Sequence, residues 1–302
     1  MYDKFLARLI NLHTHQRELN LDYLIEQHFS MSNLSKLEQI DRLKGWLDSF
    51  RPLSPVIVEE LKKLYDVQFT YNSNAIEGNT LTQSETELVL SKGITVGGKT
   101  LIEHLEVIGH KDAIDYVEFL SQQKQALAEW EIKQVHNLIL RKIAPEEAGK
   151  YRQLDVEAAG TNYLYPAHYF VPQLMKDFID WLNSETAQNL HPVKYATVAH
   201  YRFVSIHPFR DGNGRTGRLL MNLLLLRAGY PIIVISNQQR NDYINAIAYG
   251  QSHSDDINQL IDLVASATKI SLIETLRLVV TAADSRGKGK PFYREMIAVL
   301  DG

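Results

Sequence analysis

None of the 302 residues is cysteine, which excludes disulfides, thiolate nucleophiles and thiolate-bound zinc. Charge of one sign is also lacking: 32 Lys and Arg stand against 36 Asp and Glu, a net charge of −4. With no basic block, the chain does not advertise binding to nucleic acid or to an anionic membrane. Long hydrophobic runs are missing too. The richest apolar stretch, Leu219 to Leu226, is too short to span a bilayer, and Met1-Tyr2-Asp3-Lys4-Phe5 opens no secretory apolar segment. No repeat or low-complexity tract is present. What remains is 45% hydrophobic residues, enough for one large or two modest domains with a substantial core. The expectation is a soluble, cytoplasmic globular protein without a membrane or nucleic-acid partner.

Apolar residues recur mostly at helical spacing, so the fold class is mainly α. The pattern predicts helices over Leu34–Phe50, Ser54–Glu77, Thr82–Leu90, Leu101–Gln122, Glu129–Arg141, Pro172–Asn183, Pro192–Ile206, from Leu219 to a stop at Gly229, Arg240–Tyr249 and Asp255–Ala282. Ser54-Pro55 is a start signal, and Thr82 with Glu85 has capping-box spacing. Residues 156–166 break the pattern, with short extended character around Gly160-Thr161-Asn162, and read as a small β-hairpin. The run from Asp284 to Lys290 reads as a flexible basic linker before a short last helix.

Chemistry concentrates in His207-Pro208-Phe209-Arg210-Asp211-Gly212-Asn213-Gly214-Arg215-Thr216-Gly217-Arg218. Gly212 and Gly214 allow a tight turn that brings backbone N–H groups near an anion, and Asn213 between them tolerates left-handed geometry. The apolar run that follows places this turn at a helix N-terminus, where unpaired N–H groups and the helix dipole favour phosphate. Arg215 and Arg218, three apart, project from one helix turn and offer bidentate forks. Asp211 supplies an oxygen ligand suited to Mg2+, and His207 is the group able to take a proton at neutral pH.

This string resembles the Fic family signature, HPFx(D/E)GNGRxxR, at every specified position. The resemblance implies a Fic-type helical bundle that transfers AMP from ATP to a hydroxyl side chain of a target protein and releases pyrophosphate. On that reading His207 deprotonates the hydroxyl, and Asp211 holds Mg2+ on the α and β phosphates. The amides of Gly212, Asn213 and Gly214 cradle phosphates, while Arg215 and Arg218 neutralise the β and γ groups. The hairpin at about 156–166 corresponds to a flap that would hold an extended target segment by main-chain hydrogen bonds, an ordinary surface hairpin linking helices being the other reading. Relatives contact adenine and ribose where Asn237–Arg240 and Tyr243 lie, so Tyr243 is the candidate base contact, a packed core tyrosine being the other reading. Fic relatives frequently pair, which makes a homodimer an expectation as well.

Upstream, Ser73 and Glu77 share a helix face and Gly78 ends that helix. Ser73-x-x-x-Glu77-Gly78 resembles the family's inhibitory motif, (S/T)xxxE(G/N). The resemblance implies that Glu77 reaches Arg218 and takes the space of the γ-phosphate, keeping resting activity low. In some relatives the same glutamate positions water to remove AMP. The implied organisation is an N-terminal helical region over 1–98 carrying the inhibitory motif, a catalytic core over 99–249 and a C-terminal helical extension over 250–302. Transfer of another phosphate-containing group on the same scaffold, as in kinase-like, uridylyl-transferring or phosphocholine-transferring relatives, is one alternative. A non-catalytic helical regulatory protein is another, and the complete set of His207, Asp211 and both arginines argues against it.

Gly93 to Thr100 also satisfies GxxxxGK(S/T), a nucleotide-binding loop pattern. That loop needs a buried strand before it, whereas the preceding residues read as helix, so a surface loop with a solvated Lys99 is expected. His104, His110 and His136 lie on predicted helices and show no ligand spacing.

Overall fold

The computed structural model describes residues 34–157, 163–282 and 292–301. The described residues open on helix α1 (Lys36–Ser49), whose N-cap Ser35 forms a capping box with Glu38. Helix α2 (Pro55–Ile76) is capped by the Ser54 side chain and carries Pro55 in its first turn, where the missing N–H costs nothing. It ends at Glu77, and Gly78 turns away at φ +102°. Helix α3 (Gln83–Lys92) starts with the expected Thr82/Glu85 capping box, and α4 (Leu101–Ser121) starts with a second one from Thr100 and Glu103. Helices α5 (Glu129–Leu140), α6 (Val171–Leu182), the one-turn α7 (Glu185–Gln188) and α8 (Pro192–Ile206) follow. The chain continues as α9 (Asn213–Arg227), α10 (Arg240–Ser252), α11 (Asn258–Ala282) and α12 (Tyr293–Asp301).

Helix α9 is the axis of the bundle. Every residue from Arg215 to Leu225 is buried, because α8, α4, α5 and α2 surround it. A helix enclosed on all sides keeps no solvent face, which is why its second half, Asn222 excepted, shows an apolar run rather than a stripe. It begins six residues before the expected Leu219, so the glycine turn and both motif arginines belong to the helix itself. Helix α11 packs on α1, α8, α10 and α12, extending the same core to Met296 and Leu300. A small satellite of Leu81, Val89 and Val107 joins α3 to α4.

No strand is present among the described residues. Residues 158–162, the centre of the expected hairpin, lie outside them, and Val156, Glu157 and residues 163–166 carry no regular structure. The predicted linker at 284–290 lies outside them also. Gly93 to Thr100 joins two helices, and Lys99 is tied to the backbone carbonyl and, at 3.1 Å, the hydroxyl of Thr80. Among the described residues no helix is long and apolar enough to cross a membrane.

Candidate active site around the start of α9

Helix α8 cannot continue through Pro208, and its last turn is closed by His207 in the left-handed region, φ 52° and ψ 59°. The His207 N–H still donates to the Phe203 carbonyl at 3.1 Å. The loop that follows is held by Asn213, whose side chain pairs both ways with the Phe209 peptide. The Phe209 N–H donates to Asn213 Oδ1 at 2.9 Å, and Asn213 Nδ2 donates to the Phe209 carbonyl at 2.8 Å. Asn213 therefore does not occupy left-handed backbone as expected. That conformation falls to Gly212, φ +74°, and Asn213 is the first residue of the helix and a brace for the loop.

Under the loop, Phe209 is fully buried and stacks on His136 with ring centroids 3.6 Å apart and an interplanar angle of 4°. The Gly149 N–H donates to His136 Nδ1 at 2.9 Å, so the ring proton sits on Nε2 and donates to the Asp211 carbonyl at 2.9 Å. Burial pushes the His136 pKa down to about 4, which keeps the ring in this neutral form. His136 is thus a support of the motif loop, a role that its position on an amphipathic helix did not reveal.

The arginines separate. Arg218, buried, donates from Nε to Ser73 Oγ at 3.0 Å and from Nη2 to the Ser73 carbonyl at 2.8 Å and Glu77 Oε1 at 2.7 Å. Burial alone would lower its pKa, but the Glu77 charge beside it holds it above the usual arginine value. A β-carbon built on Gly214 would stand 2.3 Å from Glu77 Oε1. The carboxylate therefore rests directly on the first turn of α9, in the place where a helix N-terminus attracts an anion. Arg215, also buried, donates instead to Glu106 Oε1 at 2.9 Å and lies 3.4 Å from Asp211 Oδ2. Glu106 in turn accepts from Asn79 Nδ2 at 2.9 Å, two residues beyond Glu77.

Asp211 carries its carboxylate at the surface, with 69% of the side chain exposed, and its Oδ1 accepts from the Gly212 N–H. Among the described residues no cluster of three or more His, Cys, Asp or Glu is present, so any ion at Asp211 would take its remaining oxygens from a bound substrate and water. Tyr243 lies beneath Arg218 in the core. Its hydroxyl pairs with His200 Nε2 at 2.8 Å and stands 3.5 Å from Arg218 Nη1. A base contact needs an exposed ring, and Tyr243 is 1% exposed.

His207 is half-buried, with its ring 4.3 Å from that of Tyr165 between centroids. Burial and then the nearby Arg152 charge lower its pKa to about 4, so the imidazole is neutral and can accept a proton at physiological pH. Arg152 was not singled out by sequence, and neither was Glu106. Both are charged residues whose partners lie far along the chain.

The Fic/DOC family profile matches residues 126–225, which hold α5 through most of α9. The Protein adenylyltransferase Fic of Nematostella vectensis is 39% identical over 234 residues, covering 77% of this chain and 54% of that protein. Its namesake in Drosophila willistoni is 37% identical over 237 residues, covering 78% and 47%. The chain thus spans about half the length of the curated relatives it matches. Among solved structures, a Fic domain containing signaling protein from Bacteroides thetaiotaomicron superposes with a TM-score of 0.74 at 31% identity, covering 81% of this chain and 98% of that one. A fragment of Fic-1 from C. elegans gives 0.74 at 30% identity, covering 82% and 73%. With nearly the whole of the bacterial structure matched at this identity, the chain belongs to the Fic/DOC family.

Proposed function

We propose that the protein transfers AMP from ATP to a hydroxyl side chain of a target protein and that Glu77 holds this activity down. The observation that carries the reading is the meeting, at the start of α9, of a neutral imidazole and a helix-start anion place already filled by a carboxylate. His207 takes the proton of the target hydroxyl. The hydroxyl oxygen then bonds to the α-phosphorus as the bond to the α–β bridging oxygen breaks, and pyrophosphate leaves. The amides of Gly212, Asn213 and Gly214 face the phosphates, and Arg215 and Arg218 neutralise them once released from Glu106 and Glu77. Such chemistry needs alignment and charge stabilisation more than further functional groups. Asp211, an exposed hard oxygen donor, fits Mg2+, which when bound spreads the charge of the phosphates.

The same proposal gives 156–166 the role of a small hairpin flap along which an extended target segment lies. It divides the chain into an N-terminal inhibitory region (1–98), a catalytic core (99–249) and a C-terminal extension (250–302), and includes pairing into a homodimer. Tyr243 serves it through Arg218 rather than through the base. Removal of AMP by water is the second reading, favoured by the carboxylate of Glu77 standing beside Arg218 at the start of α9. Labelled ATP separates these readings. The α label should enter protein, most strongly in Glu77→Gly, and loss of that label on chase with unlabelled buffer would indicate removal. Entry of γ label alone would mean phosphorylation, and no label in any variant would leave a binding protein.

A further inference from the structure

Arg152 is 4% exposed, and among the described residues no carboxylate lies within normal hydrogen-bond reach of its guanidinium; Asp155 is 3.7 Å away and largely solvated. Its guanidinium is instead spent on three carbonyls. Nε donates to His207 at 2.8 Å, Nη1 to Leu154 at 3.1 Å, and Nη2 to Pro166. The Arg152 N–H adds a bond to the Pro208 carbonyl at 3.0 Å. Burying a cation whose one nearby carboxylate, Asp155, is 3.7 Å away and largely solvated is costly, so the guanidinium stands there for the geometry that its carbonyl bonds impose.

Two of these carbonyls, those of His207 and Pro166, bear on the imidazole. His207 occupies a backbone region that side-chain-bearing residues rarely adopt, which persists only where the surroundings enforce it. Its N–H is held from α8, and its carbonyl is held by Arg152. Pro166 follows Tyr165, whose ring lies against the His207 ring and whose hydroxyl is hydrogen-bonded to the Gln251 side chain on α10. One guanidinium thus fixes the main chain that carries the base and the main chain next to the tyrosine whose ring packs on it.

We propose that Arg152 is a positioning residue for the transfer reaction, setting the direction of the His207 imidazole through the His207 carbonyl and through Tyr165. The proposal rests on the transfer reading given above. Its charge works in the same sense. Among the groups that face the ring, Arg152 favours the neutral base, whereas Glu77, Asp211 and the Val204 carbonyl favour the protonated one.

The test is made in the Glu77→Gly protein, with Arg152→Met and Arg152→Lys. Occupied sites are counted by calorimetry with Mg2+ and an ATP analogue bearing an α,β-methylene bridge, which binds without transfer. Self-labelling from α-labelled ATP is then expressed per occupied site, a quantity that loss of folded protein does not change. Arg152→Met should bind the analogue within threefold of the parent and label at least tenfold more slowly per site. Arg152→Lys, which keeps a donor and the charge, should recover at least threefold over Arg152→Met. Labelling per site within twofold of the parent would overturn the proposal. Loss of analogue binding in both variants would also overturn it, by assigning Arg152 to folding. If the Glu77→Gly parent itself takes up no α label, the transfer reading and this inference fall together, a result distinct from either of those.

Discussion

Glu77 and Arg218, 141 positions apart in sequence, form a 2.7 Å ion pair that lays a carboxylate across the first turn of α9. Ser73 completes the hold with two further bonds to the same guanidinium. A phosphate arriving there meets a negative charge and a clamp already engaged. Charge-assisted hydrogen bonds contribute roughly 1.5–3 kcal/mol each, so removing the competitor should tighten ATP binding by at least about tenfold. We expect Glu77→Gly to show that gain in calorimetry, together with a clear rise in self-labelling from α-labelled ATP. Unchanged affinity and labelling would mean that the pair is a structural link and not a brake.

Replacing His207 by Ala removes the proposed base while leaving the arginines, the amides and Asp211 in place. Analogue affinity in the Glu77→Gly background should stay within about threefold, and transfer should fall by roughly 10²–10⁴-fold, the usual contribution of a positioned base. Because the His207 pKa is lowered to about 4, the parent should show no acid limb from this group between pH 8 and 6. A rate that halves near pH 6.5 would place the imidazole in water.

The Asn213 brace gives a different outcome. In Asn213→Ala the buried Phe209 N–H and carbonyl lose both partners. Leaving such groups unpaired costs about 1–3 kcal/mol. Urea unfolding should register that loss, and analogue binding should weaken with it because the loop sets the first amides of α9. Full stability in this variant would show that water replaces the side chain and that the brace is dispensable.

How much of this could be read from sequence depended on range. Capping boxes at Thr82 and Glu85 were legible because both partners lie within one helix turn, and Ser73 and Glu77 because four residues return to the same face. The His207–Arg218 string was legible because its functional groups are consecutive. Arg215 and Glu106 are 109 positions apart, and Arg152 and His207 are 55 apart; only the packing of α4 and the loops on α9 brings them together. Asn213 misled for a local reason. Flanking glycines suggested left-handed backbone, but the strain lies at His207, which Pro208 bars from continuing α8. Tyr243 could not be assigned, since a tyrosine on a helix looks the same whether its ring meets a ligand or, as here, His200 in the core.

Acid should unfold this protein through its buried imidazoles. His136 and His200 are fully buried with pKa values lowered to about 4, and burial drives His110 well below its ordinary value as well. In the unfolded chain each titrates near about 6.5. Above that pH neither state carries the proton, and stability is complete. As the pH falls towards 4 the unfolded chain takes up protons that the folded one refuses, so stability declines through this window. Each buried histidine should cost about 1.4 kcal/mol between pH 7.5 and 5.5. His136 and His200 together should therefore contribute roughly 3 kcal/mol to the difference between the urea midpoints at the two pH values, with His110 and His207 adding in the same direction. Replacing His200 by Asn should remove about 1.4 kcal/mol of that difference, even where it lowers stability overall. Equal midpoints at pH 7.5 and 5.5 would show that the rings accept protons inside the fold, and would undo the fixed tautomer by which His136 supports Asp211.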